Sequence, residues 1–205
     1  MISSLAISSL AAEKLTCVRG DRRLFDGVSF QVKAGQALAV EGANGAGKTS
    51  LLRMIAGFLA PAAGRILVRT DGRDSDDGEE RGRLAGWLGH LDGLKPQLTV
   101  REQLDFFAGL HRRKSDAAVL EQVGLARQAG LPCRYLSAGQ RRRLALARLV
   151  VSARPLWLLD EPFAALDAAG QALIAQLMMR HCGQGGIVIA ATHDPLGLAN
   201  ESLRL

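Results

Sequence analysis

Cysteine is scarce in this chain of 205 residues: there are three, Cys17, Cys133 and Cys182, and they are widely separated. They form neither a CxxC pair nor a CxxCH haem-attachment motif. An odd number of isolated cysteines is typical of reduced thiols, so we expect a cytosolic protein without a disulfide framework.

Long apolar runs are absent as well. The best candidate, LALARLVVSARPLWLL, is interrupted by Arg148 and Arg154, which leaves no segment long enough to cross a bilayer. The start MISSLAISSLAAEK lacks the positive charge and the apolar length of a signal peptide. We therefore expect a soluble chain that reaches a membrane only through a partner.

Aromatic residues make up only 4% of the chain, and the formal net charge is +6. A basic balance indicates an anionic partner, which could be nucleic acid, phosphate or an anionic membrane surface. Single-stranded nucleic acid is usually bound by basic residues interleaved with aromatic ones. The scattered basic residues of this chain do not follow that pattern, so we expect no nucleic-acid partner.

Strand-like and helix-like runs alternate along the chain, and their length suits one domain with a sizeable core. The strands, most of them nearly uniformly apolar, indicate an α/β fold with a parallel sheet covered on both faces. The stretch 70–83 is highly charged and is predicted to be an exposed loop. The predicted strands are 28–32, 37–42, 65–69, 84–90, 155–160 and 186–192, and the predicted helices are 49–59, 98–110, 116–125, 137–151 and 168–182.

The stretch GANGAGKT fits the pattern G-x-x-x-x-G-K-[ST] and lies between a predicted strand and a predicted helix. Glycines allow such a loop to curl until its N–H groups converge on the β- and γ-phosphates of a nucleotide. Lys48 would neutralise phosphate charge, and the Thr49 hydroxyl would bind Mg²⁺. The phosphate-binding residues are thus predicted to be Gly42, Ala43, Asn44, Gly45, Ala46, Gly47, Lys48 and Thr49.

Two acidic residues, Asp160 and Glu161, follow the apolar run PLWLL. A buried strand would emerge there at the carboxyl edge of the sheet, where ligands bind in open α/β folds. Asp160 suits a contact to Mg²⁺, and Glu161 suits a general base acting on an attacking water. An ordinary strand–loop junction is the simpler alternative, and the phosphate-loop pattern upstream argues against it.

With the further stretches LSAGQ, AALD and ATHD, the sequence resembles the ATP-binding subunits of ABC transporters over nearly its whole length. The resemblance implies an α/β P-loop NTPase fold of the ABC ATPase type, in a single ATP-binding domain spanning 1–205. It also implies a mostly parallel central sheet, a helical subdomain at roughly 84–150 and a small N-terminal β subdomain.

The resemblance assigns roles to residues outside the phosphate loop. The signature LSAGQ contributes to the ATP site of the opposite subunit, so ATP would be sandwiched between two chains arranged head to tail. AALD is the D-loop, and ATHD carries the switch histidine that contacts the γ-phosphate. The residues concerned are Ser137, Gly139, Gln140, Asp167 and His193.

Two positions depart from the common pattern. His90 takes the place of the usual Q-loop glutamine, and Arg19 that of the aromatic residue that stacks on adenine. A guanidinium can also stack on a base, so ATP binding is still expected. In the run Arg141–Arg143, Arg142 is an unusual charge, and we expect it to be solvated or to face a partner.

Together with WLGH and ATHDPLGL, these features resemble the CcmA family, the ATP-binding subunits of the bacterial cytochrome c maturation (haem export) system. The implied partners are integral-membrane subunits, CcmB and associated Ccm proteins, docked beside residues 84–130 at the cytoplasmic face of the inner membrane. Haem itself is not expected to bind at His181–Cys182 or Pro132–Cys133. Three alternatives remain: another ABC importer or exporter subunit, a soluble nucleic-acid-associated ABC ATPase, and a nucleotide sensor that does not hydrolyse ATP.

Overall fold

The computed structural model describes residues 6–114, 116–198 and 201–205. The strands are β1 (Ile7–Arg19), β2 (Arg22–Lys33), β3 (Ala37–Glu41), β4 (Ala63–Thr70), β5 (Arg73–Ser75), β6 (Ala85–Leu88), β7 (Leu156–Asp160), β8 (Ile187–Ala191) and β9 (Glu201–Arg204). The helices are α1 (Lys48–Ile55), α2 (Gly78–Leu84), α3 (Val100–Leu110), α4 (Ala117–Gln122), α5 (Ala138–Ser152) and α6 (Ala168–Gly183).

A parallel sheet with the strand order β6-β7-β8-β3-β9 forms the centre of the molecule. All residues of β7 and β8 are buried. Leu156 and Leu158 pack into the core that contains α1, whereas Trp157 and Leu159 pack into the core of α3, α5 and α6. Because successive side chains of a strand point to opposite faces, both faces are covered, and the predicted α/β fold is confirmed.

A second, antiparallel sheet with the order β2-β1-β4-β5 forms the small N-terminal β subdomain. Leu10, Leu15 and Cys17 of β1 are fully buried and share a core with Leu51 and Leu52 of α1. This sheet therefore packs against the helix that follows the phosphate-loop pattern.

The stretch 70–83 is not simply an exposed loop. It contains β5 and most of α2, which begins after the N-cap Asp77. Arg81 is only 5% exposed and donates hydrogen bonds to the carbonyl oxygens of Ile55 and Ile66. The high charge of the stretch concealed this element because its key buried residue is itself an arginine.

Besides β5, two strands have no counterpart among the sequence-based predictions. The long strand β1 carries many small and polar residues, since its exposed positions face solvent. The edge strand β9 has the sequence ESLR and pairs in parallel with β3. Neither strand is an apolar run, which is why neither was expected.

The topology brings four loops to one edge of the parallel sheet. Strands β3, β6, β7 and β8 run in the same direction, so their carboxyl ends meet there. The segments that leave these ends contain the phosphate-loop pattern, His90, Glu161 and His193. Among the helices of the described residues, none is long and apolar enough to span a bilayer.

Candidate functional site

The phosphate loop, residues 42–47, connects β3 to α1 through a backbone that needs glycine. Gly42, Gly45 and Gly47 have φ angles of 150°, 83° and 107°. A Cβ on Gly47 would lie 3.0 Å from the Phe25 ring, so a side chain there would crowd the ring. Gly47 is also the N-cap of α1, which has no side-chain cap hydrogen bond. The first N–H groups of the helix are thus available to an anion.

Lys48 is held inside this loop and is only 8% exposed. Its Nζ donates a 2.7 Å hydrogen bond to the Gly42 carbonyl oxygen and lies 3.0 Å from His193 Nε2. An ammonium group can only donate, so Nε2 is the acceptor in this contact. The positive charge of Lys48 is therefore fixed where phosphate oxygens would enter the loop.

Thr49 and Asp160 meet although 111 residues separate them. The Thr49 hydroxyl lies 2.9 and 3.1 Å from the two carboxylate oxygens of Asp160. Asp160 is 6% exposed, and no cationic side chain among the described residues forms an ion pair with its carboxylate. A buried carboxylate without a countercharge is costly. This hydroxyl–carboxylate pair is a donor set of the kind that Mg²⁺ prefers, so it fits the predicted ion.

Glu161 begins the turn after β7 in a strained conformation. Its φ of 50° is unusual for a residue other than glycine. The backbone N–H donates to the Ala191 carbonyl oxygen at 2.8 Å, and the carboxylate lies 3.7 Å from His193 Nε2. The side chains of Glu161 and His193 are 31% and 52% exposed, so a water molecule and a phosphate can reach both.

The signature stretch forms the N-terminus of α5. Ser137 and Gln140 make a capping box, in which each side chain bonds the backbone N–H of the other residue. A Cβ on Gly139 would lie 3.0 Å from the Ala165 carbonyl oxygen, so the signature packs closely on the turn before α6. Asp167 caps α6 by accepting a hydrogen bond from Gly170.

The structure thus brings together some of the predicted residues and keeps others apart. Lys48, Thr49, Asp160, Glu161 and His193 form one cluster around the phosphate loop. Within the described residues, no hydrogen bond or ion pair connects that loop to the remaining candidates. These are Ser137, Gly139, Gln140 and Asp167, together with His90 and Arg19, which are exposed at the ends of β6 and β1.

The expectation that Arg142 is solvated or faces a partner is wrong. It is 3% exposed, and its guanidinium donates to the carbonyl oxygens of Gly89, Asp160 and Glu161. Helical periodicity could have revealed this burial, because positions 142, 145, 146 and 149 share one face of α5 and the last three are apolar. The neighbouring arginines concealed the pattern.

His181 packs against the strand β7 and the segment that precedes it. Its ring stacks on Trp157 with a centroid distance of 4.1 Å, and its Nε2 donates to the Pro155 carbonyl oxygen at 3.1 Å. Burial, which disfavours the charged imidazolium, lowers the pKa of His181 to about 4.

A groove of about 990 Å³ lies away from this cluster. It is lined by Ala34, Pro155 and Gly186, which precede β3, β7 and β8. It therefore opens at the amino edge of the parallel sheet, opposite the phosphate loop, and is not the nucleotide site.

Comparison with known proteins agrees with the site geometry. The family model for ABC transporters matches residues 25–164. A cytochrome c biogenesis ATP-binding export protein, CcmA, of Rhodopseudomonas palustris (strain BisB5) is 53% identical over 199 residues, covering 96% of this chain and 97% of that protein. The protein of the same name from Bradyrhizobium diazoefficiens is 49% identical over 198 residues with the same coverage.

Solved structures share the fold. An ABC transporter ATP-binding protein of Pyrococcus furiosus gives a TM-score of 0.84 over 97% of this chain and 98% of its own, at 23% identity. The protein cbiO1 of Clostridium perfringens, part of an ABC transporter complex, gives 0.74 over 90% of this chain and 78% of its own, at 28% identity. With a family model covering more than half of its length and relatives matching it almost end to end, the chain belongs to the ABC transporter family.

Proposed function

We propose that this chain is the ATP-hydrolysing subunit of a cytochrome c maturation export complex. The observation that carries the proposal is the cluster at the carboxyl edge of the sheet. There a buried lysine, a hydroxyl–carboxylate pair and a partly exposed glutamate surround one phosphate loop. The names of the relatives supply the biological setting, because they are ATP-binding export proteins of cytochrome c biogenesis.

The proposed chemistry follows from where each group lies. The N–H groups at the start of α1 and the Lys48 ammonium bind the β- and γ-phosphates of ATP. Thr49 and Asp160 would hold Mg²⁺, which neutralises phosphate charge when bound. Glu161 accepts a proton from the attacking water, and the neighbouring His193 orients the γ-phosphate.

The proposed catalytic unit contains two copies of the chain. Ser137, Gly139 and Gln140 present the N-terminus of α5 but make no described contact with the chain's own phosphate loop. A head-to-tail pair would place this N-terminus against the γ-phosphate bound by the other copy. The exposed Arg19 would stack on the adenine, and Asp167 would lie at the contact between the copies.

The remaining proposed partners are integral-membrane subunits, CcmB and associated Ccm proteins. Leu91, which directly follows His90, is 83% exposed, and Leu110 at the end of α3 is 63% exposed. Such apolar side chains suit contacts with a partner at the cytoplasmic face of the inner membrane. The chain, a single ATP-binding domain, would then be a peripheral component of the membrane complex. Its helical region (about 84–150) would face the membrane subunit.

Hydrolysis by the purified complex tests the proposal. We expect Mg²⁺-dependent release of phosphate from ATP that falls by at least about a hundredfold in Glu161→Gln, because the base is lost. The control Glu13→Gln changes an exposed glutamate on β1, outside the helical region, and should retain full activity. Undiminished ATP turnover in Glu161→Gln would refute the role of Glu161 as the general base.

Membrane association needs a separate measurement. We expect the chain to co-purify with CcmB from detergent-solubilised membranes and its ATPase rate to change on association. Association instead with an unrelated membrane subunit would support the reading as another ABC importer or exporter.

A further inference from the structure

Arg142 is a buried cation that joins three functional segments of the chain. One terminal nitrogen donates to the carbonyl oxygens of Asp160 and Glu161 at 2.5 and 2.6 Å. The other donates to the Gly89 carbonyl oxygen at 2.8 Å and to the Asp92 carboxylate at 3.2 Å. Its side chain is 4% exposed, so water does not compete for these bonds.

The three segments have different tasks in the proposed cycle. Arg142 lies one turn into α5, the helix whose N-terminus is the signature offered to the other copy. Asp160 and Glu161 are the metal-binding and hydrolytic residues of the chain's own site. Gly89 precedes His90 in the loop next to the proposed membrane partner. A helix is rigid over one turn, so a displacement of the signature must also move the guanidinium.

The contacts to the β7 turn hold the hydrolytic residue in place. Glu161 has a φ of 50°, a strained conformation that persists only where the surroundings impose it. Arg142 donates to the carbonyl oxygen of Asp160, which precedes the Glu161 nitrogen, and to the carbonyl oxygen of Glu161 itself. Its position therefore affects where the Glu161 carboxylate lies.

Packing alone is a poor explanation for this arginine. Buried ionic groups are often no more stabilising than apolar side chains of similar volume. Asp92 is the single carboxylate that pairs with Arg142 among the described residues, and Arg142 Nε has no hydrogen-bond partner there. The guanidinium is thus better suited to fixing the relative positions of α5, the turn after β7 and the loop after β6 than to maximising the stability of the fold.

From this geometry we propose that Arg142 is a positioning residue that couples the two ATP sites of the pair. It links the signature, which completes the other copy's site, to Glu161, which acts in the chain's own site. Occupation of either site then changes the geometry of the other, and by linkage the effect on binding is reciprocal. The inference rests on the proposed head-to-tail pair.

Substitutions at one position separate coupling from folding. Arg142→Met keeps length without the hydrogen bonds, and Arg142→Lys keeps the charge without the two-pronged geometry. The matched control is Arg143→Met, because Arg143 bonds the carbonyl oxygens of Val123 and Gly124 and none in the site. Thermal unfolding is measured for all three variants, so that loss of fold is recognised.

Steady-state hydrolysis by the membrane complex gives the first readout. For Arg142→Met we expect kcat to fall about 10- to 100-fold, as for a misplaced catalytic group. We also expect the Hill coefficient for ATP to approach 1 while the nucleotide Kd stays within about twofold. Arg142→Lys should recover part of both kinetic parameters, and Arg143→Met should behave as wild type. A folded Arg142→Met complex with wild-type kcat and cooperativity would overturn the proposal, as would failure of both Arg142 variants to fold.

Mixed pairs give the decisive readout. In a pair made of one Glu161→Gln chain and one wild-type chain, only the site on the wild-type chain's phosphate loop can hydrolyse ATP. The wild-type chain keeps its own Glu161 and Arg142, and the variant chain supplies the signature of that site. Adding Arg142→Met to the Glu161→Gln chain cuts only the link between that chain's signature and its own β7 turn. We expect hydrolysis by the intact site to be several-fold slower when the variant chain carries both substitutions than when it carries Glu161→Gln alone. Equal rates in these two mixed pairs would refute coupling. If wild-type chains show no Glu161-dependent hydrolysis, the proposed ATPase function is refuted. If they show it but the two mixed pairs have equal rates, only the coupling by Arg142 is refuted.

Discussion

At the scale of single residues, the chemistry of the site depends on short contacts between groups that are distant in sequence. Lys48 and His193 lie 3.0 Å apart, and Thr49 bonds Asp160 across 111 residues. Each contact places a group that is charged or can be protonated beside the phosphate loop. Removing one member should therefore alter one step and leave the fold intact.

We expect Asp160→Asn to impair metal use more than nucleotide binding. The substitution removes the buried negative charge but keeps a side chain of the same shape beside Thr49. The Mg²⁺ concentration for half-maximal hydrolysis should rise at least about tenfold, while the Kd for metal-free ATP should not increase. Titration of the ATPase rate with Mg²⁺ checks this, with Asp71→Asn in the exposed β4–β5 turn as the control. An unchanged Mg²⁺ requirement would refute the metal assignment.

Acid should destabilise the fold through His181. Its pKa is lowered to about 4 in the folded protein, whereas the ordinary value is 6.5. Between these values the unfolded chain binds a proton that the folded chain does not, so the free energy of unfolding falls as the pH drops from about 6.5 to 4. The largest effect is about 3 kcal/mol.

Urea unfolding at a series of pH values measures this dependence. In His181→Gln most of the slope between pH 6.5 and 4 should disappear, whereas Gln176→Ala on the exposed face of α6 should retain it. An identical slope in His181→Gln would show that other groups cause the acid sensitivity.

At the scale of elements, the sequence predicted the strands and helices that carry apolar runs and missed those that do not. Strands β3, β7 and β8 were expected because their residues are buried on both faces. Helix α2 and strand β9 were not, since α2 depends on the buried Arg81 and β9 on edge pairing with β3. Such elements arise from tertiary contacts, which local patterns do not encode.

Arg81→Ala should therefore destabilise the protein strongly. The arginine bonds the carbonyl oxygens of Ile55, Ile66 and Asp76, and its removal leaves buried acceptors unpaired. We expect the free energy of unfolding to fall by about 2–4 kcal/mol. The control Arg83→Ala removes only an exposed pair with Glu79 and should cost less than about 1 kcal/mol. Equal losses in urea unfolding would contradict this account of α2.

At the scale of the whole molecule, the cluster around the phosphate loop could be predicted from the sequence because its motifs are contiguous and strand direction fixes where they meet. The phosphate loop, Asp160 and Glu161 follow parallel strands whose carboxyl ends share an edge. The contacts of Arg142 could not be predicted in this way. They depend on the register of α5 against the sheet, and the run of three arginines resembles a solvated surface.

The central claim is that two copies of the chain complete each ATP site, and complementation between two inactive variants tests it most directly. Lys48→Ala disables the phosphate loop but keeps the signature, whereas Gly139→Glu blocks the signature but keeps the loop. Each variant alone should hydrolyse ATP at no more than about a hundredth of the wild-type rate. An equimolar mixture should recover up to about a quarter of that rate, because half of the pairs contain one intact site of two. Full activity of Gly139→Glu alone, or no recovery in the mixture, would contradict the claim.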